Sequence, residues 1–410
     1  MNTWAMSVSG LRTVVELEIR QRIRSKRWIW ALLGWFLLTG GLTSLVIWSA
    51  TEMVRINGQG PSAGFQAGPL AFGLITYLVL GLGLMIAPAF TATTINGDRA
   101  AGTLATLQAT RLSSLEIVLG KLIAAWLAAA VFLVVALPFI AWSMVLGNIS
   151  LWQVAVTFAV VFAEVAVVCA IGLGFSAMFS RAAGAAMLTY LTVVVLSVIT
   201  VIVLALSSVL VVRPTTYRVW GLTPAVQQQY QDQVEQTYKD DPKANPPAPP
   251  VDKCTWFERT DQTTRMDLVW WVVVANPFVV VADAAPLPPG AAQDLTKYIA
   301  LSSDPLAGVR WGVRKLSQPP QTEIDECSYL YESLPGFRVE YDNDGRATVT
   351  TKSGEPVTVS PVKVAPVNVE NPIWPWGLGV HVLLGAVFFW GAVTRLKIPY
   401  GALQRGTRVA

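Results

Sequence analysis

The chain has 410 residues, of which 53% are hydrophobic and only 14% charged, with a mean hydropathy of +0.50. These values exclude an ordinary soluble domain and make lipid the expected main solvent. A formal net charge of +4 is too mild to imply a nucleic-acid partner, and a single histidine excludes a histidine-based metal cluster.

Residues 1–27 read as a cytoplasmic amphipathic interfacial helix. Val8, Leu11, Val15, Ile19 and Ile23 form one helical stripe, with Arg12, Glu16, Arg20 and Arg24 on a charged stripe beside it. The charged region is too long, and the next apolar run too extended, for a cleavable signal peptide.

Trp28 to Ala50, Pro69 to Ile95, Val118 to Leu146, Trp152 to Phe179, Ala185 to Val212 and Ile373 to Thr394 each exceed the length needed to span a bilayer, which is about 20 helical residues. Open sheets cannot cross lipid, and the runs lack the alternation of barrel strands. The expected fold is therefore an all-α polytopic membrane protein with six transmembrane helices: helices 1–5 within 28–212 and helix 6 within 372–395. A mixed α/β extracytoplasmic domain, 213–371, is inserted between helices 5 and 6, and 396–410 form a cytoplasmic tail. Pro88 and Pro138 are candidate kinks, and Gly81, Gly83, Gly172 and Gly174 permit close helix packing.

Lys and Arg cluster before helix 1, between helices 2 and 3, at Arg181 between helices 4 and 5, and after helix 6; Arg55 stands apart. The positive-inside rule puts both termini in the cytoplasm and 213–371 outside it, with the protein in the cytoplasmic membrane. The outer segment holds 15 Lys and Arg against 20 Asp and Glu, so the chain's basicity resides in the remainder.

Within the outer segment, PAVQQQYQDQVEQTYKDD suits a polar helix, NPPAPP a linker, and the alternating stretch beyond Leu334 a small meander of strands. Residues 268–285 are apolar but short and broken by Asn276-Pro277. They read as a re-entrant or interfacial element, since a seventh span would place the basic C-terminus outside. Cys254 and Cys327 share this segment; an oxidising compartment favours a disulfide, the alternative being two buried thiols.

The loop between helices 2 and 3, NGDRAAGTLATLQATRLSSLEIVLGKLIAAW, carries the strongest functional signal. Ser113 followed by Glu116 is a capping box for helix 3. Thr103, Leu104 and Leu107 give a short helix an apolar face suited to a partner's groove or the membrane surface. The loop resembles the signature of the ABC-2 family of ABC transporter permeases, through Asp98, Gly102, Thr103, Leu104, Leu107, Thr110, Leu112, Ser113, Glu116, Ile117, Leu119, Gly120 and Lys121. It departs from that signature where Asp98 replaces the commoner Glu and Arg111 the commoner Pro, which does not preset the turn.

The resemblance implies a permease subunit, with export the expected direction, driven by a separate ABC ATPase that holds the ATP and magnesium. This chain would carry no cofactor and no catalytic residue. No G-x-x-x-x-G-K-[ST] phosphate loop occurs in the sequence. By resemblance, segment 96–117 is the coupling segment, with Asp98, Arg99, Gly102, Thr103, Leu104, Leu107, Thr110 and Glu116 as the ATPase-coupling residues. A second permease chain, identical or related, would complete the path. The outer domain lies outside the resemblance and reads as a gate, a substrate receiver or a dock for an extracytoplasmic partner.

Glu164, near the centre of helix 4, is either a substrate or proton contact on the transport path or a neutralised residue at a helix interface, with no cationic partner evident in the sequence. His381 reads as an interhelical hydrogen bonder. The competing function is a membrane-anchored sensor or assembly factor whose outer domain binds without transport. An intramembrane enzyme is disfavoured, because HExxH, G-x-S-x-G and paired intramembrane Asp are all missing.

Overall fold

The computed structural model describes residues 6–23, 26–56, 67–104, 107, 112–147, 149–244, 247, 249–288, 291, 298–299, 302–332, 337–341, 346–351, 356–362 and 371–396. Thr110, Arg111, the turns expected at 344–345 and 353–354, and nearly all of the tail 396–410 lie outside the described residues.

The elements run in chain order as α1 (Val8–Ile23), α2 (Lys26–Ile56), α3 (Ala67–Thr91), α4 (Thr94–Ala100), α5 (Ser114–Leu146) and α6 (Leu151–Met178). Next come α7 (Ala182–Leu210), which contains a π turn at Val195–Ile199, then β1 (Val212–Gly221), α8 (Pro224–Asp240) and β2 (Thr255–Thr264). They are followed by α9 (Trp271–Val274), α10 (Pro277–Ala284), α11 (Pro305–Leu316), β3 (Glu323–Asp325), α12 (Cys327–Glu332), β4 (Phe337–Tyr341), β5 (Ala347–Thr351), β6 (Pro356–Val359) and α13 (Trp374–Arg395). Among the described residues, six helices are long and apolar enough to cross a membrane: Trp28–Ser49, Gly68–Ala100, Ser114–Leu146, Leu151–Met178, Ala182–Leu210 and Trp374–Arg395. Each coincides, within a few residues at most ends, with an expected run. The stretch 268–285 instead forms two short helices, α9 and α10, broken at Asn276.

The chain divides into two compact units, Met1–Leu204 with Trp271–Val313 and Val369–Ala410, and Ala205–Trp270 with Arg314–Asn368. By this division 271–313 group with the helical unit, whereas the sequence pattern puts them in the inserted segment 213–371. Their apolar side chains explain this, since Val280, Val281, Ala282 and Leu306 are buried in the main helical core.

In the helical unit α6 is the central helix, packed against α3, α5, α7 and α13. Small residues set its approach distances: a Cβ on Gly174 would meet Phe388 at 2.7 Å, so Gly there lets α13 lie close. Asp283, at the end of α10, accepts from the backbone N–H groups of Ile373 and Trp374 at 2.7 and 2.8 Å, which satisfies orphan donors at the start of α13. By contrast, only 6% of the α7 window and 17% of the α2 window are buried, which leaves both helices with broad apolar outer faces.

α1 packs on α5 through only part of the expected stripe, of which Leu11, Val15 and Ile19 are partly covered. Val8 and Ile23 are exposed, whereas Val14 is buried and Gly10, Leu11, Glu18 and Arg22 are partly covered. A Cβ on Gly120 of α5 would meet Val14 Cγ1 at 2.6 Å, so this glycine admits the helix. The charged members of the inner face are tolerated because they find ionic partners, which periodicity alone does not reveal.

The second unit holds two small sheets. β1 and β2 pair antiparallel over their full lengths, from Val212↔Thr264 to Gly221↔Thr255, and β3 joins β1 in parallel to give the order β2-β1-β3. This ribbon was not expected, because β1 follows an apolar helix without a turn signal. β4, β5 and β6 form the expected antiparallel meander, and α8 is the expected polar helix. Cys254 and Cys327 are disulfide-bonded with their Cα atoms 6.2 Å apart. The bond pins the start of β2 to α12, where Cys327, Tyr331 and Val349 form a local core.

Candidate functional site

The loop that carries the sequence signal begins where the second span breaks at Ala92–Thr93 and restarts as α4. Ser176 Oγ, near the end of α6, accepts from the Ile95 and Asn96 backbone N–H groups at 2.9 and 3.2 Å, which caps the restarted helix. α4 ends at a turn in which the Gly102 N–H donates to the Arg99 carbonyl at 3.2 Å. Gly102 has φ +72°, the left-handed region open to glycine, while its missing Cβ would meet no neighbour. The glycine is thus required by backbone conformation and not by crowding.

Past this turn Leu104 points inward. It is only 4% exposed and joins Ile95, Ile117, Leu173, Ala392 and Leu396 in a core cluster, with Leu107 packed against it. Of the expected apolar face, Leu104 is thus turned inside the chain, Leu107 is partly buried and Thr103 is exposed. What faces outward is small: Gly97, Ala100, Ala101, Gly102 and Thr103 are exposed, and Asp98 and Arg99 partly so.

The capping box forms as expected, with Glu116 N–H donating to Ser113 Oγ at 3.1 Å and Ser113 N–H to Glu116 Oε2 at 2.7 Å. Glu116 does more. Its Oε1 accepts from the Ser7 backbone N–H at 2.6 Å, so one carboxylate serves the first turns of both α1 and α5.

One turn deeper lies Lys121, a member of the sequence motif, with its side chain 1% exposed. Its Nζ pairs with Asp98 Oδ2 at 2.6 Å and also with Glu18 Oε1. Arg22 lies 3.8 Å from Glu18, donates to the Phe90 carbonyl at 3.2 Å and sits over the Phe90 ring. Burial pushes the Arg22 guanidinium below its ordinary pKa, and Glu18 opposes that. Two carboxylates and two cations thus tie α1, α4 and α5 into one neutral cluster. Asp98 and Lys121 were legible as motif residues, whereas Glu18 and Arg22 were not, because no sequence spacing links them to residue 121.

The second buried polar constellation lies within the spans. Glu164 of α6 and His381 of α13 are each almost wholly enclosed, with Nδ1 2.9 and 2.8 Å from the two carboxylate oxygens. The sequence offered Glu164 no partner, and the structure supplies His381 from 217 residues away. The other ring nitrogen, Nε2, lies 2.7 Å from the Ala275 carbonyl, at the break between α9 and α10. Asn276, the next residue, donates through Nδ2 to the Ser197 carbonyl and Thr200 Oγ1 at 2.8 and 2.9 Å, bridging the break to the π turn of α7. π turns recur at functional sites because they widen a helix locally. A cavity of about 10 Å³ beside the pair is lined by Glu164, His381, Ser197 and Pro277 among apolar residues. That is room for one water molecule and not for a solute, so this conformation lends no support to Glu164 as a substrate contact.

Among the described residues, no group of three or more His, Cys, Asp or Glu side chains is arranged to hold a metal ion.

Residues 12–239 match the family model described as "ABC-2 family transporter protein". None of the curated proteins gives a significant match to the chain.

Proposed function

The chain belongs to the ABC-2 family of transporter proteins, and on that premise we propose that it is the permease subunit of an exporter whose ATP is hydrolysed by a separate ABC ATPase. Permeases of this family work with ABC ATPase partners in general. The observation that carries the proposal is the loop from Asp98 to Lys121, which lies within the matched residues. Its inner side is anchored by Leu104 and the Lys121 cluster, and its outer side presents the small residues Gly97 and Ala100 to Thr103. Small outward residues let a partner's groove approach the backbone closely. Anchored inner residues carry a push on the loop into α3, α5 and α1, as rigid-body switching requires. Asp98, Arg99, Gly102 and Thr103 would then meet or brace the ATPase, while Leu104, Leu107 and Glu116 would hold the loop's shape from inside.

The end of α4, the starts of α1 and α5, and the ends of α6 and α13 gather at this loop, which supports a common cytoplasmic side for them. The second unit would then lie outside the cytoplasm, where its disulfide is chemically at home. The outer faces of α2 and α7 are available to lipid and to a second permease chain, the arrangement we propose for the working transporter.

The test is to purify the full chain from its native membrane and ask whether an ABC ATPase accompanies it and whether its hydrolysis responds to the permease. Thr103→Arg should weaken that association without unfolding the chain, because residue 103 is exposed. Recovery of the chain with no ATPase under mild solubilisation, together with a silent Thr103→Arg, overturns the proposal.

A further inference from the structure

We propose that Glu164 and His381 form a proton-binding site inside the membrane-spanning bundle, loaded through the adjoining one-water cavity. The reasoning starts from the ring. A backbone carbonyl can only accept, so Nε2, 2.7 Å from the Ala275 oxygen, carries hydrogen. Nδ1 faces both oxygens of Glu164, and two lone pairs cannot face each other at 2.8 Å, so one proton must lie between them. Whether that proton belongs to the ring or to the carboxyl, the resting pair is neutral as a whole.

The pair has room for one proton more. When the carboxyl and Nδ1 are both protonated, the ring N–H still donates to the carboxyl C=O, and the carboxyl O–H needs a new acceptor. Ser197 Oγ, on the wall of the same cavity, is buried and has no hydrogen-bond partner among the described residues. Directly or through one water, it can take that bond. The step forms one bond to hydrogen, O–H on the carboxylate if the resting proton is on the ring or N–H at Nδ1 if it is on the carboxyl, breaks one O–H bond of the hydronium ion that delivers the proton, and leaves the site with a charge of +1.

Among the described residues, no other ionisable group lines the cavity. On the elements around it, Tyr77, Cys169, Tyr190, Asp283 and Arg395 are the remaining titratable or charged side chains of α3, α6, α7, α10 and α13. Lys121 and Glu116 of α5 are committed to the loop cluster. The added charge is therefore not neutralised locally, and it appears where α6, α13, the α9–α10 break and the π turn of α7 meet.

The sequence makes the test direct, because His381 is the only histidine in 410 residues. The full chain, purified on a histidine-free tag and labelled with 15N-histidine, gives one imidazole signal from the protein. Ring 15N shifts and the infrared carboxylic-acid band are followed in lipid nanodiscs from about pH 8 to pH 5, the range in which histidine-based sites switch. The expected result is uptake of one proton by the pair, seen in one or both signals and abolished by Glu164→Gln but retained by Glu164→Asp. Ring and carboxyl signals that both stay fixed in the wild-type chain overturn the proposal, as does a carboxyl change that persists in Glu164→Gln. If Glu164→Gln does not accumulate, the wild-type titration alone decides. None of these readouts needs an ATPase or a substrate, so failure here is distinct from failure of the permease reading.

Discussion

Replacing Lys121 with methionine keeps the length of its stem and removes its charge. The Lys121 ammonium pairs with both Glu18 and Asp98, whose side chains are 12% and 28% exposed. Two carboxylates that share one ammonium lie within about 5 Å of each other, so their mutual repulsion once it is gone is roughly 3 kcal/mol at an effective dielectric near 20. Arg22, 3.8 Å from Glu18, offsets part of this. Breaking a buried ion pair by removing one member typically costs about 3–5 kcal/mol, and we expect Lys121→Met to lose about 3. Equilibrium unfolding of the purified chain in mixed micelles reads that loss. The triple variant Glu18→Gln, Asp98→Asn, Lys121→Met removes all three charges and should recover most of it, since polar groups without net charge are far cheaper to bury. A single variant within about 1 kcal/mol of wild type, or a triple variant no better than the single, would refute the idea that ionic pairing holds α1 against the loop.

Four further expectations follow from the geometry. Gly102→Ala should cost about 1–2 kcal/mol through its left-handed φ, with Gly102→Asn cheaper, in the same unfolding assay. Glu116→Ala should cost about 1–3 kcal/mol because it strips acceptors from two helix starts, and amide exchange should accelerate at both Ser7 and Ser113. Loss of the Cys254–Cys327 bond, which closes a separation of 73 residues, should destabilise the second unit by about 4 kcal/mol, checked by proteolysis with and without reductant. The Arg265 guanidinium bonded to Asp267 holds that carboxyl below its usual range. Its stabilisation is therefore present above the unfolded pKa and lost as pH falls through the folded one, and Asp267→Asn should flatten that acid limb of the unfolding curve.

The spans were legible because lipid demands unbroken apolar runs, and the boundaries of α5 and α6 fall close to the capping residues Ser113 and Ser150. The capping box at Ser113 and Glu116 was legible because both members lie within one turn. What depended on distant partners was not. α1 shows an apolar and a charged stripe in sequence, and Glu18 and Arg22 belong to neither; their burial is intelligible only once Lys121 and Phe90 are known to meet them. Leu104 reads as an outward apolar residue until the end of α13 is seen to cover it. Glu164 lacked a partner for the same reason, since His381 is brought to it by packing of α13 against α6 and by nothing local.

The single carboxylate that serves two helix starts also sets an order in time. Ser7 is synthesised 109 residues before Glu116, and at about 5–20 residues per second that interval lasts roughly 5 to 20 s. Throughout it α1 has neither its acceptor nor the ammonium that pairs with Glu18, while two spans are inserted downstream. Its exposed Val8, Leu17 and Ile23 give it somewhere to wait, on the membrane surface. The first helix of the chain to be synthesised is thus fixed in place only after two spans have followed it, and it is fixed by the start of the third.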